Sequence, residues 1–407
     1  MNAFYASVEM MLNPQLKGKA IAVCGATEDR HGIVLAKSDL AKKAGVKTGM
    51  VNWEAQQRCP NLILVPPQYD QYKKYSELAH QIYYRYTDLV EPFGMDECWL
   101  DVTGSTKIFG SAMDIAESIR KATREELGLT VSIGVSFNKI FAKLGSDMKK
   151  PDAITEITKE NFRNKVWSLS ADELLYVGRS TFKKLQAVGI NTIGDLANSD
   201  PYFISKLLGI HGDQIRTYAR GEDQSRVMHK DYVAPIKSVG HGITCTADLI
   251  NNDEVWTMIL ELSQDVGHRL KVHELKATGV QIDVRCKDLS GYQFQTILPF
   301  ATQLPLDIAK GAYKVFREKY HWQQHIRALC VRAINVRSIY DPEQLQFDTE
   351  EIATVENKKE HVQNAIEEIR YRFGKSAVTM GELLKPKKLP YHYGSTSQVK
   401  IPGLMYQ

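Results

Sequence analysis

The chain has 407 residues, too many for one hydrophobic core, and at 43% hydrophobic and 25% charged it has the composition of a soluble protein of about two to four domains. Its 52 Lys and Arg against 48 Asp and Glu leave a net charge of +4, which permits nucleic-acid binding without requiring it. No apolar run reaches the length of a membrane span and no secretory leader pattern opens the chain. The six cysteines (Cys24, Cys59, Cys98, Cys245, Cys286, Cys330) lack CxxC spacing, so the expectation is a cytoplasmic protein with reduced thiols, no zinc site and no membrane partner.

The opening segment, Met1-Asn2-Ala3-Phe4-Tyr5-Ala6-Ser7-Val8-Glu9, is an apolar run carrying two aromatics. Lys17 to Val23 reads as a turn feeding a buried strand, Gly32 to Ala36 as a second strand, and Asp39 to Ala44 as a short helix stopped by Gly45. Tyr69 to Tyr86 repeats apolar and aromatic residues at helical spacing. It leads into Glu91-Pro92-Phe93-Gly94-Met95-Asp96-Glu97-Cys98-Trp99-Leu100-Asp101, two strand-like stretches around an acidic tip. Asp114 to Leu127 is amphipathic, and Leu129 to Val135 is a β-branched strand. This order of strand, helix, acidic hairpin, helix and strand implies an α+β layer with helices against a sheet.

The acidic tip carries the most chemical information. Neighbours on an unbroken strand point to opposite faces, so Asp96 and Glu97 need the bend that Gly94 allows to face one place. An isolated Asp-Glu pair is usually a solvated turn. Paired carboxylates at a hairpin tip also suit hard, oxygen-seeking cations such as Mg2+ shared with substrate phosphates.

Downstream, Gly134-Val135-Ser136-Phe137-Asn138-Lys139-Ile140-Phe141-Ala142-Lys143-Leu144-Gly145-Ser146-Asp147-Met148-Lys149-Lys150-Pro151 forms a further dense segment. From Ser168 to Gly221 the texture changes to short helices with glycines at their starts, around Gly178 and around Gly209 and Gly212. Glycines before a helix leave backbone N–H groups free to meet phosphate, the helix-hairpin-helix way of gripping DNA without reading its sequence. Gln224 to Ile236 reads as a linker. Beyond it come a strand at Thr244 to Asp248, a helix at Asn252 to Leu275, and strands at Val280 to Arg285 and Tyr292 to Leu298. A helix at Leu306 to Tyr320 and a strand at Ile326 to Val336 complete a second α+β module. In the tail, Lys358 to Phe373 reads as a charged helix and Lys385 to Gln407 as mobile. Pro342 to Asp348, with Gln344, Leu345 and Phe347 as anchors, is similar to a sliding-clamp peptide, one apolar residue short of the common form.

The opening segment, the acidic hairpin and the Gly134 to Pro151 segment, in that order, closely resemble the Y-family (translesion) DNA polymerases, on the bacterial DNA polymerase IV branch. The resemblance runs from Met1 to about Arg337. It implies a multidomain right-hand α+β fold: a palm at 1–10 and 68–167, fingers at 11–67, and a helix-hairpin-helix thumb at 168–223. A linker at 224–236, a little finger at 237–340 and a tail at 341–407 would follow.

The implied activity is template-directed addition of dNTPs to a primer 3′ end by a two-metal mechanism, at low fidelity and without proofreading. Its cofactors would be two Mg2+ ions, held by Asp96, Glu97 and the Met1 backbone carbonyl, with Glu97 at the primer end. Tyr5 would be the steric gate against the 2′-hydroxyl of an rNTP. Phe4, Tyr5, Lys42 and Lys150 would meet the nucleotide, and Gly178, Gly209 and Gly212 the DNA. Partners would be primer–template DNA, dNTPs and the sliding clamp, with the protein a monomer.

Two departures stand out. Asp39 and Lys42 occupy the fingers positions where many family members carry a Tyr and an Arg on the triphosphate. The family's first metal-binding Asp and its strand would fall immediately before Met1 and are absent here, for which a start at an internal Met is the simpler expectation. As written, the chain is expected to bind primer–template but to add nucleotides poorly. A nucleotide cyclase would share such a palm but would not explain the glycine-capped helices or the second module. A non-catalytic DNA-binding relative is the alternative, against which Tyr5 and Lys150 weigh.

Overall fold

The computed structural model describes residues 1–30, 32–342 and 349–390, without the side chains of 349–357. The clamp-like anchors Gln344, Leu345 and Phe347 therefore lie outside the described residues. Among those described, apolar side chains collect into four cores, and the elements follow from which core each apolar stripe can reach.

The first core gathers Phe4 and Val8 of α1 (Phe4–Leu12) with Ile21 and Val23 of β1 (Ile21–Cys24). The second is smaller and lies on the other side of β1, with β2 (Val34–Lys37), α2 (Asp39–Lys43), α3 (Asn52–Arg58) and β3 (Ile63–Val65). These strands pair in the order β2-β1-β3, β1 antiparallel to β2 and parallel to β3. Tyr72 and Ile82 of α4 (Tyr69–Tyr83) return to the first core. So does the hairpin β4 (Val90–Pro92) and β5 (Cys98–Leu100), which pairs Val90 with Leu100 and Pro92 with Cys98. After the short α5 (Thr106–Phe109), α6 (Ala112–Leu127) opens on a capping box between Ser111 and Asp114.

The sheet expected here is two separate ladders, β4-β5 and the parallel pair β6 (Ile133–Ser136) with β7 (Ile154–Ile157). The strand expected from Leu129 begins only at Ile133, where β7 offers a partner. Leu129 and Val131 are buried all the same, and the Thr130 carbonyl accepts from Asn2 N at 2.9 Å.

Between β6 and β7 runs α7 (Lys139–Met148). Its Ile140, Phe141 and Leu144 enter a third core with α8 (Phe162–Val166), α9 (Arg179–Gln186), α10 (Ile193–Asn198), α11 (Pro201–Leu208) and α12 (Ile210–Ala219). Residues 224–236 form no helix or strand, yet they are not loose. Met228 N donates to Glu91 Oε2 at 2.9 Å, Lys230 N to the Asp88 carbonyl at 2.8 Å, and Lys139 Nζ reaches the Arg226 carbonyl at 3.4 Å.

The fourth core lies under a sheet in the order β10-β9-β11-β8, all antiparallel, of β8 (Ser238–Leu249), β9 (Leu275–Cys286), β10 (Gly291–Thr302) and β11 (Ile326–Ser338). It is covered by α13 (Asn252–Val272) and α14 (Pro305–Lys319). The helix expected to reach Leu275 ends at Val272, because Glu274 turns at φ 55° and Leu275 already pairs with Ser338. β8 starts six residues before the expected Thr244, its polar and glycine-rich first half held by Ala333 and Ile334 of β11.

The tail folds back on this module. α15 (Thr349–Phe373) joins α13 and β9 through His268–Glu367 at 2.7 Å and Lys276–Glu360 at 3.0 Å. Residues 385–390, expected to be mobile, are held: Thr246 N donates to the Lys388 carbonyl at 3.0 Å, and Lys387 pairs with Glu261 at 2.6 Å. No helix among the described residues is long and apolar enough to cross a membrane.

Candidate active site

Asp96 and Glu97 sit in the loop between β4 and β5, after Gly94 at φ 87°, so strand alternation does not separate them. Phe93 N closes the loop on the Glu97 carbonyl at 2.8 Å. Met95 is the anchor: its side chain is buried in the first core, its carbonyl accepts from Ser76 Oγ of α4, and its sulfur accepts from Tyr5 Oη at 3.4 Å. Both carboxylates stay about one-third exposed, at 36% for Asp96 and 33% for Glu97. The Met1 amino group donates to the Asp96 carbonyl at 2.6 Å.

Facing the tip is α7. Gly134 lets this helix lie on β6, since a Cβ there would come 1.8 Å from the Ala142 carbonyl oxygen. With its apolar stripe in the third core, α7 presents Lys143 and Asp147, one turn apart, to the hairpin. Lys143 Nζ lies 3.0 Å from Glu97 Oε1 and 2.7 Å from Asp147 Oδ2, and Lys150 Nζ lies 2.6 Å from Asp147 Oδ1. Burial works against charge on Lys143, but its bonds to Asp147 and the field of Glu97 outweigh it and raise its pKa. The same balance, burial opposed by bonds from Lys143 and Lys150, leaves Asp147 below the ordinary carboxylate range. Neither Lys143 nor Asp147 was anticipated from the sequence. The i, i+4 and i+3 spacing of Lys143, Asp147 and Lys150 was the available signal.

Tyr5 lies beside the tip, stacked on Tyr72 and edge-on to Tyr69 at 6.1 Å. Burial, then the charges of Tyr69 and Asp96, push its phenol up to about 12, so it is neutral at physiological pH. Phe4, at 4% exposed, turns its ring into the first core and leaves only its backbone for a ligand. Lys42 is exposed on α2, near enough to Lys37 that its charge, after burial, lowers that lysine's pKa.

The three glycines separate in role. Gly178 and Gly209 cap α9 and α12 in open space, with nothing within 4 Å of an added Cβ. Gly209's own N–H is taken by the Ser205 carbonyl at 2.7 Å, so amides free for phosphate begin at the helix positions that follow it. Gly212 is packed inward: its N–H donates to the Gly209 carbonyl at 2.8 Å, and a Cβ would meet the Ile204 carbonyl oxygen at 2.6 Å, so the contact of α11 with α12 requires a glycine there.

Among the described residues no three His, Cys, Asp or Glu side chains converge as a ready metal cage. The donors present are two carboxylates, which fit a hard divalent cation that also takes ligands from a substrate. The adjacent Cys98 thiol is pushed by burial up to about 12, so it is protonated and offers no soft ligand.

Residues 1–147 match the impB/mucB/samB family and residues 236–347 its C-terminal domain. DNA polymerase IV of Acetivibrio thermocellus is 46% identical over 96% of this chain and 97% of its own length. DNA polymerase IV 1 of Bacillus subtilis is 35% identical over 95% and 92%. A chimera of the Y-family DNA polymerases Dbh and Dpo4 superposes with a TM-score of 0.73 over 83% of this chain and 97% of that one, at 23% identity. The fold is thus the multidomain α+β architecture of a polymerase. The chain belongs to the impB/mucB/samB family, the Y-family DNA polymerases, on the DNA polymerase IV branch, and is a DNA-directed DNA polymerase. The non-catalytic alternative is not favoured.

Proposed function

We propose that this polymerase extends a primer 3′ end with dNTPs on a DNA template, at low fidelity and without proofreading, with its chemistry centred on Asp96 and Glu97. The observation that carries this is the convergence of two carboxylates, each about one-third exposed, the Lys143–Asp147–Lys150 row and the Tyr5 ring on one place. Asp96 and Glu97, with the Met1 carbonyl, would hold two Mg2+ ions. When bound, these cations supply positive charge to the attacking and leaving oxygens of an in-line phosphoryl transfer. Lys150 meets the triphosphate as a compact point charge, with Lys42 adding charge from α2. Tyr5 bars a 2′-hydroxyl, and the Phe4 backbone lines the same pocket.

In this reading the first core belongs to the palm, the second to the fingers and the fourth to the little finger, while the third joins α7 and α8 of the palm to the thumb at 168–223. The starts of α9 and α12 grip the DNA backbone, and the protein works in the cytoplasm as a monomer. The peptide around Gln344, Leu345 and Phe347 is its contact with a sliding clamp. Primer extension with Mg2+ and dNTPs tests the centre of the proposal. Asp96→Ala and Glu97→Ala should each slow extension by at least about a hundredfold while primer–template binding is kept. Full-rate extension by either variant would remove that carboxylate from the chemistry.

A further inference from the structure

Four charged side chains stand in alternating order across the hairpin, α7 and the turn after it: Glu97, Lys143, Asp147 and Lys150, with successive contacts of 3.0, 2.7 and 2.6 Å. Lys143 is the least exposed, at 16% against 33%, 46% and 39% for the others. It is also the most firmly placed, because the neighbouring Ile140 and Leu144 fix α7 in the third core. The row links a carboxylate assigned to a cation with a lysine assigned to a triphosphate. The function proposed above places both linking residues at the site but gives neither a contact with cation or nucleotide.

We propose that Lys143 and Asp147 are positioning residues: Lys143 aims Glu97 until a divalent cation displaces it, and Asp147 retains Lys143 while aiming Lys150. This rests on the assignment of Glu97 to a cation and Lys150 to the triphosphate. An ammonium and a divalent cation compete for one carboxylate. The Glu97 contact is the longer of the two that Lys143 makes, so when a cation takes over Glu97 the ammonium keeps its Asp147 partner and is not left unpaired. Asp147 holds Lys150 with its other oxygen, so both ligand-facing groups are oriented from one helix.

The two linking residues therefore have opposite effects on the cation. Lys143→Met removes a competing positive charge and should tighten cation binding by roughly threefold or more. The same change frees Glu97 to rotate, so kcat should fall. Asp147→Asn leaves the full charge of Lys143 on Glu97, so cation binding should weaken by a similar factor and KM for dNTP should rise. Lys143→Arg, which keeps the charge, should return cation affinity toward wild type.

The experiment is an electron paramagnetic resonance titration of Mn2+ into the full chain bound to primer–template and a non-hydrolysable dNTP analogue. Glu97→Gln is measured in parallel, and kcat and KM for dNTP are taken on the same preparations. Weaker Mn2+ binding in Glu97→Gln, tighter binding in Lys143→Met and weaker binding in Asp147→Asn is the expected result. Unchanged or weaker binding in Lys143→Met, with Glu97→Gln impaired, overturns the positioning roles but leaves Glu97 a ligand. Unaltered binding in Glu97→Gln overturns the cation assignment itself.

Discussion

The Tyr5 ring lies flat on Tyr72, with centroids 4.1 Å apart and planes 10° from parallel. Tyr72 is fully buried and donates its hydroxyl to Glu9, whose other oxygen accepts from Gln68 Nε2 at 2.7 Å. Tyr5 is thus backed by a ring that cannot retreat, which is what a steric barrier to an extra hydroxyl needs. Tyr5→Ala should raise the rNTP/dNTP incorporation ratio by roughly tenfold or more, whereas Tyr5→Phe, which keeps the ring, should leave it nearly unchanged. Competition assays with paired rNTP and dNTP measure this ratio. Equal ratios in wild type and Tyr5→Ala would return the residue to the core.

The support behind the ring makes its own claim. Tyr72→Phe preserves the stack but strips the buried Glu9 of a donor, at a cost of about 1–3 kcal/mol. Chemical denaturation should show that loss, and rNTP/dNTP competition a weaker bar to rNTPs, because the backing ring is no longer tethered to Glu9. A stability loss with discrimination intact would mean that Tyr5 holds its position without the bond from Tyr72 to Glu9.

Gly178 and Gly212 should part company on substitution. Gly178 has φ −78° and open space around it, so Gly178→Ala should fold with a stability change under about 1 kcal/mol. An added methyl would still keep a phosphate from the helix start, so DNA affinity should fall, by a similar factor at low and high salt because no charge is lost. Gly212→Ala instead forces α11 from α12 and should cost about 1–3 kcal/mol. Fluorescence anisotropy on a primed duplex, beside thermal melts, separates the two. Unchanged DNA affinity in Gly178→Ala would leave that glycine as a helix cap alone.

What was legible in the sequence follows the range of the interactions involved. The acidic tip was readable because the Gly94 bend and the two carboxylates are local, and α4, α6 and α14 because their apolar stripes repeat within one helix. β8 was only half readable, since its Ser238 to Ile243 end is fixed by pairing with β11, nearly a hundred residues away. The packing of Gly212 was hidden for the same reason: a glycine near a helix start looks alike in sequence whether or not the carbonyl of a neighbouring helix lies against it. Lys143 and Asp147 were passed over because a charged residue on a helix is usually solvated, and only the fold brings Glu97 to them.

The tail shows the same limit and yields the last prediction. Leu383, in a short 3-10 turn after α15, is 5% exposed and belongs to the core of the β8–β11 module, with Met380 and Leu389 packed beside it. It lies beyond residue 347, where the match to the family's C-terminal domain stops. The segment 380–390 is therefore a clasp: it fills a gap in that core and runs along the outer edge of β8, where the Lys388 carbonyl accepts from Thr246 N. A covered edge is also an edge denied to other chains. Leu383→Ala should cost about 2–4 kcal/mol, as for other buried leucines, and should unfold this module before the first three cores. Hydrogen exchange read by mass spectrometry should locate the loss in β8 and α13, with β4, β5 and α7 still protected. Protection unchanged in β8 would show that the module is complete at β11 and that the clasp only rests on it.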